Sequence, residues 1–220
     1  MRVNKFVALA TGISRRAADA AIIDGRVLVD GKPAQTGEDI SSQAVTLDGK
    51  RLQIATKNQT ILLNKPAGYV VSRNGQGGKT VYDLLPQSLH HLKPIGRLDK
   101  DSSGLLLLTS DGSLAHELTH PRFAKQKVYE VRLDKPLASL HRQMISEHGI
   151  QLDDGPSKFL LERLKENDAT DWRITMHEGR NRQIRRTFAA LGYKVKRLHR
   201  TTFGSFELDG LAVGEYQINL

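Results

Sequence analysis

The stretch Gly96-Arg97-Leu98-Asp99-Lys100-Asp101-Ser102-Ser103-Gly104 is followed at once by the apolar run Leu105 to Leu108. A charged, glycine-bounded turn that feeds a buried strand can hold a carboxylate at a rigid edge, ready to act as a nucleophile or a base. Asp99 is the candidate for that part. Taken alone, an Asp between Arg97 and Lys100 is more often a turn former or a solvated ion pair. Its assignment therefore depends on what other segments bring to it.

A second chemical pattern competes. His116-Glu117-Leu118-Thr119-His120 satisfies H-E-x-x-H, in which two histidines one helical turn apart bind zinc and the glutamate activates water. The pattern fixes only three positions, and the chain has 8 His, so it arises easily by chance. Pro121 follows the second histidine directly and the helix is barely two turns long. A third ligand would have to be Glu130 or His141, neither convincingly placed. The motif reads as exposed or capping histidines on a short helix, and no metal is expected.

The elements that must position Asp99 follow from hydrophobic periodicity. Strands are predicted at Ile61 to Asn64, Leu105 to Thr109, Lys127 to Leu133, Phe159 to Leu164 and Trp172 to Met176. Helices are predicted at Leu114 to Thr119, Pro136 to Glu147 and Arg182 to Leu191. The elements mix without a regular βαβ repeat, which points to an α+β fold. Ahead of them, Val3, Phe6, Val7 and Ala10 recur at helical spacing, and Gly12 ends that helix. Ser14 is the N-cap of a second helix that turns Ala17, Ala18, Ala21 and Ile22 inward. A short strand from Val27 to Val29 and a turn at Asp30-Gly31 complete a small unit. The polar stretch Thr56-Lys57-Asn58-Gln59-Thr60 is the best linker, so the chain divides into residues 1–56 and 57–220.

At 220 residues with a 39% hydrophobic fraction, the chain can bury one good-sized core and a small second one. It has no cysteine, which removes disulfides, thiolate metal sites and thiol nucleophiles. No apolar run reaches the roughly 18 residues of a membrane-spanning helix, and the N-terminus has no secretory pattern. A cytoplasmic protein is expected, with no membrane partner.

The net charge of +9 is concentrated. Residues 179–203 carry Arg180, Arg182, Arg185, Arg186, Lys194, Lys196, Arg197 and Arg200 and no acid. Such a block is usually a solvated face, but Ile184, Phe188, Leu191, Val195, Leu198 and Phe203 interrupt it. That interleaving implies a folded helix and strand presenting cations, the footprint of a protein that holds phosphates. In the N-terminal unit, Arg15, Arg16, Arg26 and Lys32 can line one surface toward RNA phosphates, against the plainer reading of a solvated helix face.

Four segments, in order, carry a resemblance: Lys65-Pro66-Ala67-Gly68, the Gly96 to Gly104 turn, Lys127-Val128-Tyr129-Glu130-Val131, and Glu178-Gly179-Arg180-Asn181-Arg182-Gln183-Ile184-Arg185-Arg186. Together they are similar to the motif set of the RsuA/RluB/RluE/RluF family of pseudouridine synthases. Residues 2 to 49 resemble the S4 RNA-binding domain, through Arg2-Val3-Asn4-Lys5-Phe6, Gly12-Ile13-Ser14-Arg15-Arg16 and Gly25 to Lys32. The resemblance spans essentially the whole chain.

It implies a large mixed, mainly antiparallel sheet with a central cleft, and isomerisation of uridine to pseudouridine in ribosomal RNA. That reaction is neither redox nor hydrolytic, so no cofactor is expected. Asp99 matches the catalytic carboxylate. A carboxylate that loses water on substrate binding needs a cation to stay ionised, and the resemblance gives that part to Arg185, with Arg182 or Arg186 as substitutes. Tyr129 matches the tyrosine that lies against the target base, where the residue-level reading alone favours packing within a strand. Leu198 matches the apolar pocket floor, with Ile184 and Arg97 beside it. Lys65 reads as structural, its stem covering apolar surface while its ammonium reaches a carbonyl or a phosphate. Arg180, Arg182 and Arg186 are expected to meet RNA phosphates. His120-Pro121 and Leu152-Asp153-Asp154-Gly155-Pro156 look closer to the RluB branch, which acts on large-subunit rRNA, than to the small-subunit RsuA branch. The chain lacks the long basic tail of many RluB-like members. The protein is expected to act as a monomer on rRNA. The alternatives are a small-subunit target or a non-catalytic rRNA-binding assembly factor.

Overall fold

The structure, a computed structural model, describes residues 1–54, 58–75 and 77–219. Thr56 and Lys57 of the expected linker, and with them the expected boundary, lie outside these residues. The chain divides into two compact units, Met1–Gln59 and Thr60–Leu220.

The first unit has α1 (Val3–Thr11), α2 (Arg15–Ile23), β1 (Val27–Val29), β2 (Lys32–Pro33), β3 (Val45–Leu47) and β4 (Lys50–Arg51). Gly12 ends α1 in the left-handed region at φ 79°, as its lack of a Cβ allows. The Ser14 hydroxyl accepts from the Ala17 N–H at 3.0 Å and starts α2. Val3, Val7 and Ala8 of α1 meet Ala18, Ala21 and Ile22 of α2 over Val27 and Val45, a core separate from the rest. Phe6, expected inside, is only partly buried.

The second unit is built on one sheet. Its elements are β5 (Thr60–Lys65), β6 (Lys93–Pro94), β7 (Ser103–Thr109), α3 (Gly112–Thr119), β8 (Lys127–Leu133), α4 (Ser139–Gln143), β9 (Ile150–Leu152), β10 (Gly155–Ser157), β11 (Leu160–Lys165), β12 (Asp168–Met176), α5 (Gln183–Ala190), β13 (Val195–Phe203), β14 (Phe206–Glu207) and β15 (Tyr216–Asn219). The main path runs β11-β12-β8-β13-β7-β5-β15, while β9 and β10 form a separate hairpin. Every pairing between these strands is antiparallel except β13 with β7. The sheet is therefore mixed and mainly antiparallel, and the chain has the expected α+β architecture.

Why β7 is apolar throughout is clear from its two faces. Side chains alternate across a strand, so Leu106 and Leu108 enter the larger core with Ile61 and Leu63, while Leu105 and Leu107 enter a second core with Leu62, Leu118 and Phe203. A strand buried on both sides reads as a continuous apolar run.

Two elements depart from expectation. The helix predicted from Pro136 begins only at Ser139, because Ala138 is extended at φ −63° and ψ 140°; the Leu137 N–H donates to the Ala169 carbonyl at 2.8 Å and the Ala138 N–H to the Tyr193 hydroxyl. It then passes into a π-helical turn, Met144–His148, that buries Ile145. The helix predicted from Arg182 begins at Gln183, with Arg182 as its N-cap at φ 45°.

Candidate active site

The Gly96 to Gly104 turn stands where β6 hands over to β7, and it is pinned from beneath. Lys65, the last residue of β5, is fully buried. Its Nζ donates to the carbonyls of Ser102 at 2.7 Å, Pro66 at 3.0 Å and Asp99 at 3.2 Å. One cation thus fixes the backbone of the turn at two points and the end of its own strand at a third. Burial lowers the Lys65 pKa from 10.5 to about 8, against the opposing pull of Asp101 and Asp99. The Gly68 N–H adds a hydrogen bond to the Lys100 carbonyl at 2.7 Å. Gly104 closes the turn at φ 106°, where a Cβ would lie 2.2 Å from the Arg200 carbonyl oxygen. Only glycine lets β7 run this close to β13.

The start of α5 delivers two guanidiniums to the same turn, though not in the expected arrangement. The ion pair that forms with Asp99 comes from Arg182, whose Nη1 lies 3.4 Å from Oδ2. Arg185, expected as that partner, instead has its Nε 3.4 Å from Asp101 Oδ2, while its Nη2 donates to the Asp101 carbonyl at 3.0 Å and the Ser102 hydroxyl at 3.2 Å. Its Nη1 donates to the Val195 carbonyl at 3.0 Å. Arg182 is the N-cap of α5, in the left-handed region at φ 45°, whereas Arg185 lies within the helix. Burial lowers the Arg185 pKa, and neighbouring Asp101 opposes the shift. Asp101 is held well below the ordinary carboxylate range by its hydrogen bonds from Arg182.

A cleft of about 590 Å³ opens over Asp99. Arg97, Tyr129, Arg182, Ile184 and Leu198 line it with Asp99, so these sequence candidates meet in one place, while Arg185 is not among the lining residues. Tyr129 and Leu198 stand on adjacent strands, β8 and β13, and are 8% and 7% exposed. Each belongs to the larger core as well as to the cleft wall. Lys127 and Arg200 also line the cleft. Burial lowers the Lys127 pKa, with nearby Arg200 as the second cause. Arg200 is itself buried, with its Nε donating to the Leu105 carbonyl at 2.8 Å. The sequence marked Arg200 only as part of a basic block, because nothing in its spacing told an inward cation from an outward one.

Two other arginines expected at RNA phosphates, Arg180, which also lines the cleft, and Arg186, pair with an acid of the same unit. Arg180 and Arg186 do not project freely toward solvent. Both meet Asp154 in the β9–β10 hairpin, Arg180 through Nη1 at 2.7 Å and Arg186 through Nη2 at 2.7 Å. Arg180 also donates to the carbonyls of Asp154, Gly155 and Pro156. Together they latch the hairpin to α5 and to the loop before it. In the first unit, Arg15, Arg16, Arg26 and Lys32 are exposed. Arg26 pairs with Asp48 at 2.6 Å, and Arg15 donates to Asn4 at 3.0 Å.

The histidines of the H-E-x-x-H segment have their rings 4.8 Å apart, but the Glu117 carboxylate is taken by Lys125 at 2.7 Å. His120 accepts from the Arg122 N–H at 3.2 Å and so caps the next turn. His141 faces the Tyr193 hydroxyl, and Glu130 faces Arg197. Among the described residues, no three His, Asp or Glu side chains converge as a metal site.

Comparison with known proteins finds matches over both units of the chain. A family model for RNA pseudouridylate synthase matches residues 59–190, and an S4 domain model matches residues 1–40. A ribosomal small subunit pseudouridine synthase A from Pasteurella multocida is 37% identical over 221 residues, covering 99% of this chain and 95% of that protein. A ribosomal large subunit pseudouridine synthase B from Bacillus subtilis is 36% identical over 222 residues, covering 97% and 90%. A crystal structure of a pseudouridylate synthase superposes with a TM-score of 0.72 at 33% identity, covering 100% of this chain and 96% of that one.

Proposed function

Because the chain belongs to the RNA pseudouridylate synthase family, we propose that it converts a uridine of large-subunit ribosomal RNA to pseudouridine, with Asp99 as the reacting carboxylate. The N1–C1′ bond of the uridine breaks and a C5–C1′ bond forms. C5 releases its hydrogen as a proton and N1 gains one, so the reaction balances without any electron donor or acceptor. Asp99 serves either by attacking C1′ or by removing a proton from the ribose. Both routes need an ionised oxygen held still beside the sugar.

The observation that carries the reading is the mounting of Asp99. Its side chain is 31% exposed, it faces a cleft, its backbone carbonyl is held by Lys65, and one guanidinium stands beside it. Tyr129 in the cleft wall lies against the base in this reading, and its hydroxyl takes part in moving the C5 proton. Leu198 and Ile184 give the base an apolar seat. A uridine in folded RNA must be flipped out to reach Asp99, at a cost of a few kcal/mol that phosphate and pocket contacts must offset. Arg97 at the cleft, Arg182 beside Asp99, and Arg15, Arg16, Arg26 and Lys32 on the S4 domain are suited to supply them. Within this reading residues 1–56 are the RNA-binding part and 57–220 the catalytic part.

The large-subunit assignment rests on the likeness of His120-Pro121 and Leu152 to Pro156 to the RluB branch. A small-subunit target is the second reading, favoured by the equally similar relative named for that subunit. Mapping pseudouridine across both rRNAs in a strain lacking this protein separates them. Loss of a single large-subunit position is expected. Loss confined to the small-subunit rRNA contradicts the assignment, and loss of no position supports a non-catalytic assembly factor instead.

A further inference from the structure

We infer that Asp101 is a positioning residue, which sets the Arg182 guanidinium against Asp99 and anchors Arg185 behind the cleft. The inference rests on the reading of Asp99 as the reacting carboxylate. No motif comparison singled Asp101 out, and by sequence it is one more charge in a turn.

Its environment says otherwise. Arg182 grips the Asp101 carboxylate at both oxygens, Nη1 to Oδ1 at 3.0 Å and Nη2 to Oδ2 at 3.1 Å. A guanidinium held in such a two-toothed fork has its plane and direction fixed. The same Nη1 stands 3.4 Å from Asp99 Oδ2, so the fork with Asp101 decides where the cation beside Asp99 sits. Arg185 then brings its Nε to 3.4 Å from Asp101 Oδ2, a buried nitrogen with no hydrogen-bond partner of its own. Asp101 therefore answers two guanidiniums, whereas Asp99 meets one of them at longer range.

The backbone adds an independent sign. Arg182 lies at φ 45°, in the left-handed region that a residue with a Cβ rarely adopts. A conformation of that kind persists where the surroundings hold it, and the Asp101 fork supplies the hold. The Asp101 side chain is 49% exposed and does not line the cleft, so it neither fills the core nor touches a bound uridine. With Asp101 neutral, the fork is lost and Arg182 is free to swing away from its place at Asp99.

The test uses the full chain and unmodified large- and small-subunit rRNA transcripts under single-turnover conditions, with wild type, Asp99→Asn, Asp101→Asn, Arg182→Gln and the Asp101→Asn/Arg182→Gln double variant. Asp101→Asn should lower the maximal rate about tenfold or more, while half-saturating concentration and Tm stay near wild type. The double variant should be no slower than Arg182→Gln by more than about twofold, because both changes break one device. An Asp101→Asn rate within about twofold of wild type, losses that multiply, or a loss that tracks a falling Tm overturns the inference. If Asp99→Asn is inactive and Asp101→Asn is like wild type, the inference alone fails. Conversion by Asp99→Asn, or none by wild type, overturns the reading of Asp99 and the inference with it.

Discussion

At the scale of single residues, the site is a balance of three cations, Lys65, Arg182 and Arg185, against Asp99 and Asp101. Lys65 is the member whose titration reports on the fold. Below about pH 8 it is charged in both folded and unfolded chains, and the folded state bears the whole cost of burying that charge. Between about 8 and the ordinary 10.5 only the unfolded chain keeps the proton, so stability rises with pH across that window. The stability of wild type relative to Lys65→Met should therefore increase by on the order of 3 kcal/mol from pH 7 to 10.5, read by urea unfolding. A difference that stays flat, or falls, removes the buried-charge account. Sequence motifs made Asp99 and Tyr129 legible, and Lys65 was readable as structural. The Arg182 pairing was named only as a substitute for Arg185, because the choice between them depends on a positive φ at the helix start that no residue type announces.

At the scale of elements, the turn works because β7 and β13 run parallel at van der Waals contact, with Arg200 opposite Gly104. Gly104→Ala puts a methyl group into backbone atoms and demands a strained φ, so it should destabilise the protein by about 3 kcal/mol or more, seen as a lowered denaturation midpoint. A midpoint like wild type would mean that the strands can part without cost. Strand β8 was legible from its alternation with both ends in place, and β5, β7, β11 and β12 with ends shifted by a few residues. The β9–β10 hairpin was not, since three-residue strands carry no period. Its hold on α5 and the loop before it comes from Asp154 meeting Arg186 and Arg180, a long-range pairing that spacing cannot reveal. The start of α4 was misread because Leu137 and Ala138 are tied to Ala169 and Tyr193, distant in sequence, with Ala138 held extended.

At the scale of the whole molecule, the basic surplus divides into cations that hold the fold and cations that face outward. Composition shows the surplus and hides the division. RNA affinity should fall as salt rises, and Arg16→Gln should reduce that slope by about one contact, while Arg180→Gln leaves it nearly unchanged because Asp154 and three carbonyls already occupy Arg180. Equal slope changes in titrations of the two variants would return Arg180 to the RNA surface. The larger claim is that the S4 domain and the cleft serve one reaction at Asp99. Forming the C5 bond expels the C5 hydrogen, so tritium release from rRNA labelled at uridine C5 measures that step directly. Wild type should release tritium in a single turnover, and Asp99→Asn should bind the RNA within a few-fold of wild type yet release none above background. Substantial release by Asp99→Asn would contradict the account.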